Sequence, residues 1–192
     1  MDKELIGLFS ALATIIGAIP YIHSTIKGQT KPHLFTWLVW TLLTTIIFVI
    51  QLTQNAGPGS WAIGLTALTC AINVPLSIRY GEARGTFTDR VALVVAVISI
   101  AIWLIMKDPT ASAVMITIID VVAFYPTVRK TYMRPKEENL FYYLIWLVKY
   151  PSSLLALQVF SLANSVYAMT WSVIAVFYVG LLLVRRRQLK AA

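Results

Sequence analysis

The sequence predicts an all-α integral membrane protein of seven transmembrane helices, built as two parallel three-helix repeats around a linker helix. Three observations predict it. Of the 192 residues, 58% are apolar and only 12% charged, about half the charge of an ordinary soluble domain. Residues 32–78 contain no Asp, Glu, Lys or Arg, and residues 139–184 contain only Lys149; each tract can supply two spans of about 20 residues. The third observation is internal repetition: a shift of 106 positions places Pro20 on Pro126, Thr25 on Thr131 and Arg79 on Arg185.

The elements follow from charge and turn signals. The first, 4–26, carries 22 uncharged residues from 5 to 26; that is span length, longer than the apolar core of a cleavable signal. The first charge-free tract divides at the Asn-Ala-Gly-Pro stretch into 33–54 and 59–79. The fourth, 88–107, has 16 uncharged residues between Arg90 and Lys107, about 24 Å of helix, so its flanking charges must snorkel to reach water. The fifth is expected over 110–130, and the second tract divides into 139–161 and 165–185.

Positive charge orients this array. Thirteen of the sixteen Lys and Arg residues fall in the loops after the first, third and fifth segments and in the C-terminal tail. Such residues are retained on the cytoplasmic side. The N-terminus is therefore expected outside and the C-terminus in the cytoplasm. Short loops and the lack of targeting motifs point to a bacterial inner membrane. The net charge of +8 is absorbed by this topology signal, and no nucleic-acid partner is inferred. Cys70 is the one cysteine, which excludes a disulfide framework and a cysteine metal site; no cofactor is expected.

The repeat covers most of the chain. LFTWLVW at 34–40 falls on LFYYLIW at 140–146, with four of seven positions identical. Segments one to three thus correspond to five to seven, and four crossings between equivalent segments make the repeats parallel, 4–79 and 110–185, with 88–107 between them. The whole forms a single membrane domain, 1–192. This pattern, with a proline at one place in the first and fifth segments, is similar to the SWEET and PQ-loop transporter superfamily. The resemblance implies a central pocket between two three-helix bundles, closed alternately on each side, with Pro20, Pro126 and Pro151 as hinges. It also implies small solutes, often sugars, moved without nucleotide hydrolysis. The chain departs from that pattern in having Pro20-Tyr21 and Pro126-Thr127 in place of Pro-Gln, and Thr45 where the repeat partner is Pro151. Asn73 matches a pocket position of the family, but its repeat equivalent is Val179.

Polar helix faces should turn inward, because unsatisfied polar groups are costly against hydrocarbon. Helical spacing groups Trp37, Trp40, Thr41 and Thr44; Thr66, Thr69, Cys70 and Asn73; and Tyr167, Thr170 and Trp171. For the threonines the competing role is interhelical hydrogen bonding. For Trp40, Trp146 and Trp171 the choice lies between packing and stacking on a solute, whereas Trp61 and Trp103 sit at span ends as interfacial anchors. Asp120 lies nine residues, about 13 Å, from Arg129, and Lys149 eleven residues, about 16 Å, from Glu138. Their similar depth predicts a salt bridge, acting either as a static tie or as a proton- or substrate-sensitive latch. Neither charge exists in the first repeat, where Thr14 and Leu43 stand. His23 and His33 are expected at the surface.

These residues predict a transporter for a sugar-like or other small neutral or zwitterionic solute, with Asn73, Trp146, Trp171, Asp120, Lys149 and Trp40 as its binding set. The alternative is a receptor or scaffold on the same fold that moves nothing. No HExxH, GxSxG or phosphate loop is present, so an enzyme is not expected. The partners expected are a solute and the bilayer, and the sequence leaves homo-oligomerisation open.

Overall fold

The computed structural model describes residues 2–82, 87, 90, 91, 93–95, 97, 98, 105 and 107–191. Among them every regular element is helical: α1 (Lys3–Ile26), α2 (Leu34–Thr53), α3 (Trp61–Tyr80), α4 (Pro109–Ala123), α5 (Tyr125–Met133), α6 (Leu140–Leu155) and α7 (Leu162–Ala191). Short 3-10 turns occupy Gly57–Ser60 and Pro135–Glu137. The linker helix expected over 88–107, with Trp103, falls largely on residues outside the described set.

Among the described residues, five helices are long and apolar enough to cross a membrane: α1, α2, α3 with its preceding turn, α4 together with α5, and α7. Starts are fixed by side-chain caps. Asp2 accepts from the Glu4 amide at 2.9 Å, Asp108 from the Thr110 amide at 2.8 Å, and Asn139 from the Tyr142 amide at 3.1 Å, each satisfying a donor the first turn leaves free.

Three elements differ from the sequence expectation, one of them the seventh segment, expected over 165–185, which runs from Leu162 to Ala191 as α7 and so carries the arginines of the expected tail in the helix. The fifth segment is interrupted at Phe124, two residues before Pro126. Pro126 has no N–H for the Val122 carbonyl, and its ring crowds that turn. Phe124 keeps right-handed helical angles, φ −75° and ψ −17°, so the interruption is a kink rather than a reversal. The equivalent Pro20 lies within an uninterrupted α1. The sixth segment stops at Leu155 instead of 161. There the Gln158 amide leaves the helix to donate to the Ala56 carbonyl at 2.9 Å.

The packing repeats itself. α3 packs against both α1 and α2, and α7 against α4, α5 and α6; α1 then runs along α6, and α2 along α4. Exposure is inverted relative to a water-soluble protein. Leu5, Leu8, Phe9, Leu12, Ile16 and Ile19 of α1 and Val173, Val176 and Phe177 of α7 face outward, while Thr44, Gln51, Thr66, Asn73, Asp120 and Lys149 are buried. That is the distribution expected where hydrocarbon surrounds the bundle.

Both ends are closed, by different means. At the end opposite the basic loops, the 57–60 turn presses on the chain after α6. Glycine is required there: a Cβ on Gly59 would stand 2.9 Å from Leu157 Cα and 2.9 Å from the Ser153 carbonyl oxygen. Gln51 Nε2 donates to the Asn164 carbonyl at 2.8 Å, and Asn164 Nδ2 to that of Gln54 at 3.0 Å. The basic end is closed by ions. Lys130 and Glu138 form a buried pair at 2.7 Å, and Arg134 reaches Glu82 at 2.7 Å and Glu137 at 3.3 Å. Lys31 joins Glu137 at 3.3 Å. His33, expected at the surface, is buried in this closure: it precedes α2, bridges Glu82 through the backbone and lies 3.3 Å by Nδ1 from Thr36 Oγ1. The chain after α3 covers this loop there, which a surface assignment from sequence position misses.

Gly59→Ala should lower stability by about 1–3 kcal/mol, because backbone atoms cannot yield to the added carbon. Gly180→Ala, in an open stretch of α7, should be neutral or stabilise by up to about 1 kcal/mol. Thermal unfolding of both variants checks the contrast.

Candidate functional site

The site is built where α2, α3, α6 and α7 converge. Trp40 and Trp146, repeat equivalents, come from matching turns of α2 and α6. Their ring centroids lie 5.7 Å apart, and Trp171 of α7 completes the triangle at 5.8 Å from Trp40 and 5.2 Å from Trp146. Most contacts are edge-on, the arrangement that ring quadrupoles favour. Phe124 adds its ring at the α4–α5 kink, stacked on Trp40 at 5.5 Å and edge-on to Trp171 at 5.2 Å. The equivalent residue in α1 is Ala18, which has no ring to contribute. The kink and the aromatic cluster therefore coincide in the second half alone.

Inside the cluster is a cavity of about 10 Å³, bounded by Trp40 and Thr44 of α2, Thr66 and Cys70 of α3, Tyr142, Trp146 and Tyr150 of α6, and Tyr167 and Trp171 of α7. It has room for about one water. Both halves of the chain contribute to its wall.

The salt bridge expected between Asp120 and Lys149 is not among the ion pairs of the described residues. Each side chain takes neutral partners instead. Asp120 Oδ2 accepts from Tyr167 Oη at 2.9 Å and Trp171 Nε1 at 3.1 Å, both from α7. Lys149 Nζ donates to Thr66 Oγ1 of α3 at 3.0 Å and lies 4.5 Å from the centroid of the Tyr150 ring and 5.9 Å from that of Trp146. Equal depth brought the charges to one level, but packing decides direction. α4 lies against α7, while Lys149 points toward α3. Both charges remain within electrostatic reach of Cys70 in the cavity wall.

Several groups here have no partner. Trp40 Nε1, Trp146 Nε1, Asp120 Oδ1 and Asn73 Oδ1 are buried without a hydrogen bond, a state that costs about 1–3 kcal/mol per group. Three of the four belong to the cavity wall or to a side chain bonded to it. Two wall residues thus carry unpartnered indole N–H groups, while the Asp120 carboxylate stands behind Tyr167 and Trp171 and Lys149 is the chain neighbour of the wall residue Tyr150.

The candidates divide clearly. Trp40, Trp146 and Trp171 are brought together at the cavity; Asp120 and Lys149 support it from behind through Tyr167, Trp171 and Thr66. Asn73 is fully buried but does not line the cavity; its Nδ2 donates to the Thr69 carbonyl one turn back at 2.9 Å. Pro20, Pro126 and Pro151 lie in or beside helices that pack around the center. Tyr142, Tyr150 and Tyr167 were not singled out by sequence as binding residues. Their signal was spacing: Tyr142 and Tyr150 stand four residues either side of Trp146, and Tyr167 four before Trp171.

Compared with protein-family models, with curated proteins and with solved structures, the chain gives no match.

Thr66→Val should destabilise by about 1–3 kcal/mol, since it leaves the buried Lys149 ammonium without its oxygen acceptor. Thr69→Val, whose hydroxyl bonds only the Leu65 carbonyl, should cost less than about 1 kcal/mol. Paired thermal or denaturant unfolding curves test the difference.

Proposed function

We propose that this chain is a divergent SWEET-like and PQ-loop-like membrane transporter that moves a small solute by alternating access. In this reading the array is seven spans in a 3+1+3 order, with the basic end in the cytoplasm and the N-terminus outside. The observation that carries it is a small polar-and-aromatic cavity shared by both halves and closed at both ends by separate contacts. Such a center is what an occluded intermediate requires, and the repeated packing order of α1–α3 and α4–α7 supports the duplication. The unpartnered indole N–H groups of the wall residues Trp40 and Trp146 favour a solute bearing hydrogen-bond acceptors, either sugar-like or zwitterionic. Asp120 and Lys149 are the titratable groups through which transport would respond to protons, acting separately rather than as a pair.

One observation favours a receptor or scaffold: a cavity of about 10 Å³ admits no solute until the helices part. Flux separates the two. A panel of sugars, amino acids and nucleosides, screened by thermal shift at two pH values, should contain a stabilising ligand, since a ligand at 100 times its Kd adds about 2.7 kcal/mol. That ligand should cross proteoliposomes carrying the protein, Trp146→Ala should abolish its effect, and Asp120→Asn should change the rate or its pH dependence. Binding without flux would assign the chain to the receptor class.

The ionic closure gives a test that needs no solute. Burial alone would raise the Glu82 carboxyl, but the hydrogen-bonded Arg134 guanidinium outweighs it and holds that carboxyl below its usual value. Arg134 is raised in return, first by the same hydrogen bond. A lowered carboxylate contributes its stability above the ordinary carboxylate range and loses it as pH falls through the lowered value. High salt or strong acid, and Arg134→Gln at neutral pH, should therefore open the basic end. A small thiol reagent applied from that side should then label Cys70 several-fold faster; unchanged labelling in all three conditions would rule out a gate there.

A further inference from the structure

A second site lies away from the central cavity, at the basic end between α6 and α7. It is a cleft of about 480 Å³ lined by Lys136, Leu140, Leu183, Arg186 and Arg187. Three cations and two leucines meet there, and none of its described lining residues is a carboxylate.

The surrounding acids are already committed. Glu82 pairs with Arg134, Glu137 with Lys31 and Arg134, and Glu138 with Lys130 at 2.7 Å, with a further hydrogen bond from Tyr143 Oη at 3.0 Å. Among the described residues this leaves Lys136, Arg186 and Arg187 without a carboxylate in ion-pair contact. Arg186 is held in place: its Nε donates to the Pro135 carbonyl at 3.1 Å and its Nη2 to the Glu138 carbonyl. A guanidinium fixed by two backbone carbonyls loses little further freedom when an anion arrives. Lys136 and Arg187 are exposed beside it.

The leucines give the cleft a second character. Leu140 begins α6 and Leu183 lies one turn before the arginines on α7. Below them the outward apolar surface continues through Phe141, Leu144 and Val184. The cleft thus has a cationic rim and an apolar floor that runs onto the flank of the helices. A free phosphate would use the rim alone. A molecule with a phosphate head and acyl chains would use both.

We infer that this cleft binds the headgroup of an anionic phospholipid of the cytoplasmic leaflet. The phosphate sits among Lys136, Arg186 and Arg187, and the acyl chains descend over Leu140 and Leu183. The inference rests on the membrane orientation proposed above and not on transport. Anionic lipid at the cytoplasmic surface is drawn to basic residues at about 1 kcal/mol each, and basic clefts between helices on that side suit such headgroups.

The experiment uses the full chain in a neutral detergent, with binding followed by native mass spectrometry and by thermal shift. The probes are phosphatidylglycerol, phosphatidylcholine of the same acyl length, and glycerol 3-phosphate. Phosphatidylglycerol should bind and stabilise, while the other two should give at most a small effect. Lys136→Gln with Arg187→Gln leaves the Arg186 clamp intact, and should weaken phosphatidylglycerol binding about 30-fold, from two cations at about 1 kcal/mol each. Raised salt should weaken it in the parent chain. Equal binding of phosphatidylcholine would show that the floor alone acts, equal stabilisation by glycerol 3-phosphate would show a plain anion site, and undiminished binding by the double variant would place the lipid elsewhere. Each of these overturns the inference, and none depends on whether the chain transports a solute.

Discussion

The constraint on which the structure depends is that the charged side chains buried inside this bundle draw their partners from the chain itself, even where one oxygen of Asp120 is left over. Water is scarce around Asp120 and Lys149, so each is assigned neutral partners on another helix: Asp120 on α7, Lys149 on α3. Removing a charge from bulk water costs several kcal/mol even after relaxation. The aromatic residues follow from that requirement. Tyr167 and Trp171 supply donors to Asp120 while presenting apolar faces to the rest of the core, and the Tyr150 ring takes one side of the ammonium. Fixing these rings fixes where α7 and α6 meet, and the central cavity is what their shapes leave over.

The 106-position correspondence of the sequence matches the packing order of α1–α3 and α4–α7, and departures from it gather at the center. Trp40 and Trp146 are equivalent and face one another, as symmetric halves require. Asp120, Lys149 and Phe124 have Thr14, Leu43 and Ala18 as their counterparts, so polarity and ring mass gather in the second half. A cavity with a chemically distinct side can hold an asymmetric molecule in one orientation, which a fully symmetric center cannot do.

Much of the architecture was legible because long apolar helices announce themselves by length and absence of charge. Both ends of α1, α2 and α3 and the starts of α4 and α6 lie within two residues of expectation, and the faces carrying Trp40, Thr66, Trp146 and Trp171 turn inward. What stayed hidden depends on neighbours. Depth along a helix is a one-dimensional quantity and put Asp120 level with Lys149; the azimuth that separates them comes from how α4, α6 and α7 pack. The early end of α6 likewise depends on the distant Ala56 carbonyl, and the burial of His33 on Glu82. Tyr167 stood on a face expected to turn inward, but Tyr142, Tyr150 and Tyr167 became wall only where α6 and α7 met α2 and α3.

The brevity of α6 has a mechanical consequence. Its 16 residues give about 24 Å of helix, against a hydrocarbon core of about 30 Å. In the proposed setting the bilayer beside α6 must thin or the helix must stretch, at a cost of fractions of a kcal/mol per Å. Pro151 leaves the Leu147 carbonyl without its helical donor, which weakens the resistance of α6 at that point. Bilayer thickness then becomes a force applied near Trp146 and Lys149, and a thicker membrane pulls on the wall of the cavity itself.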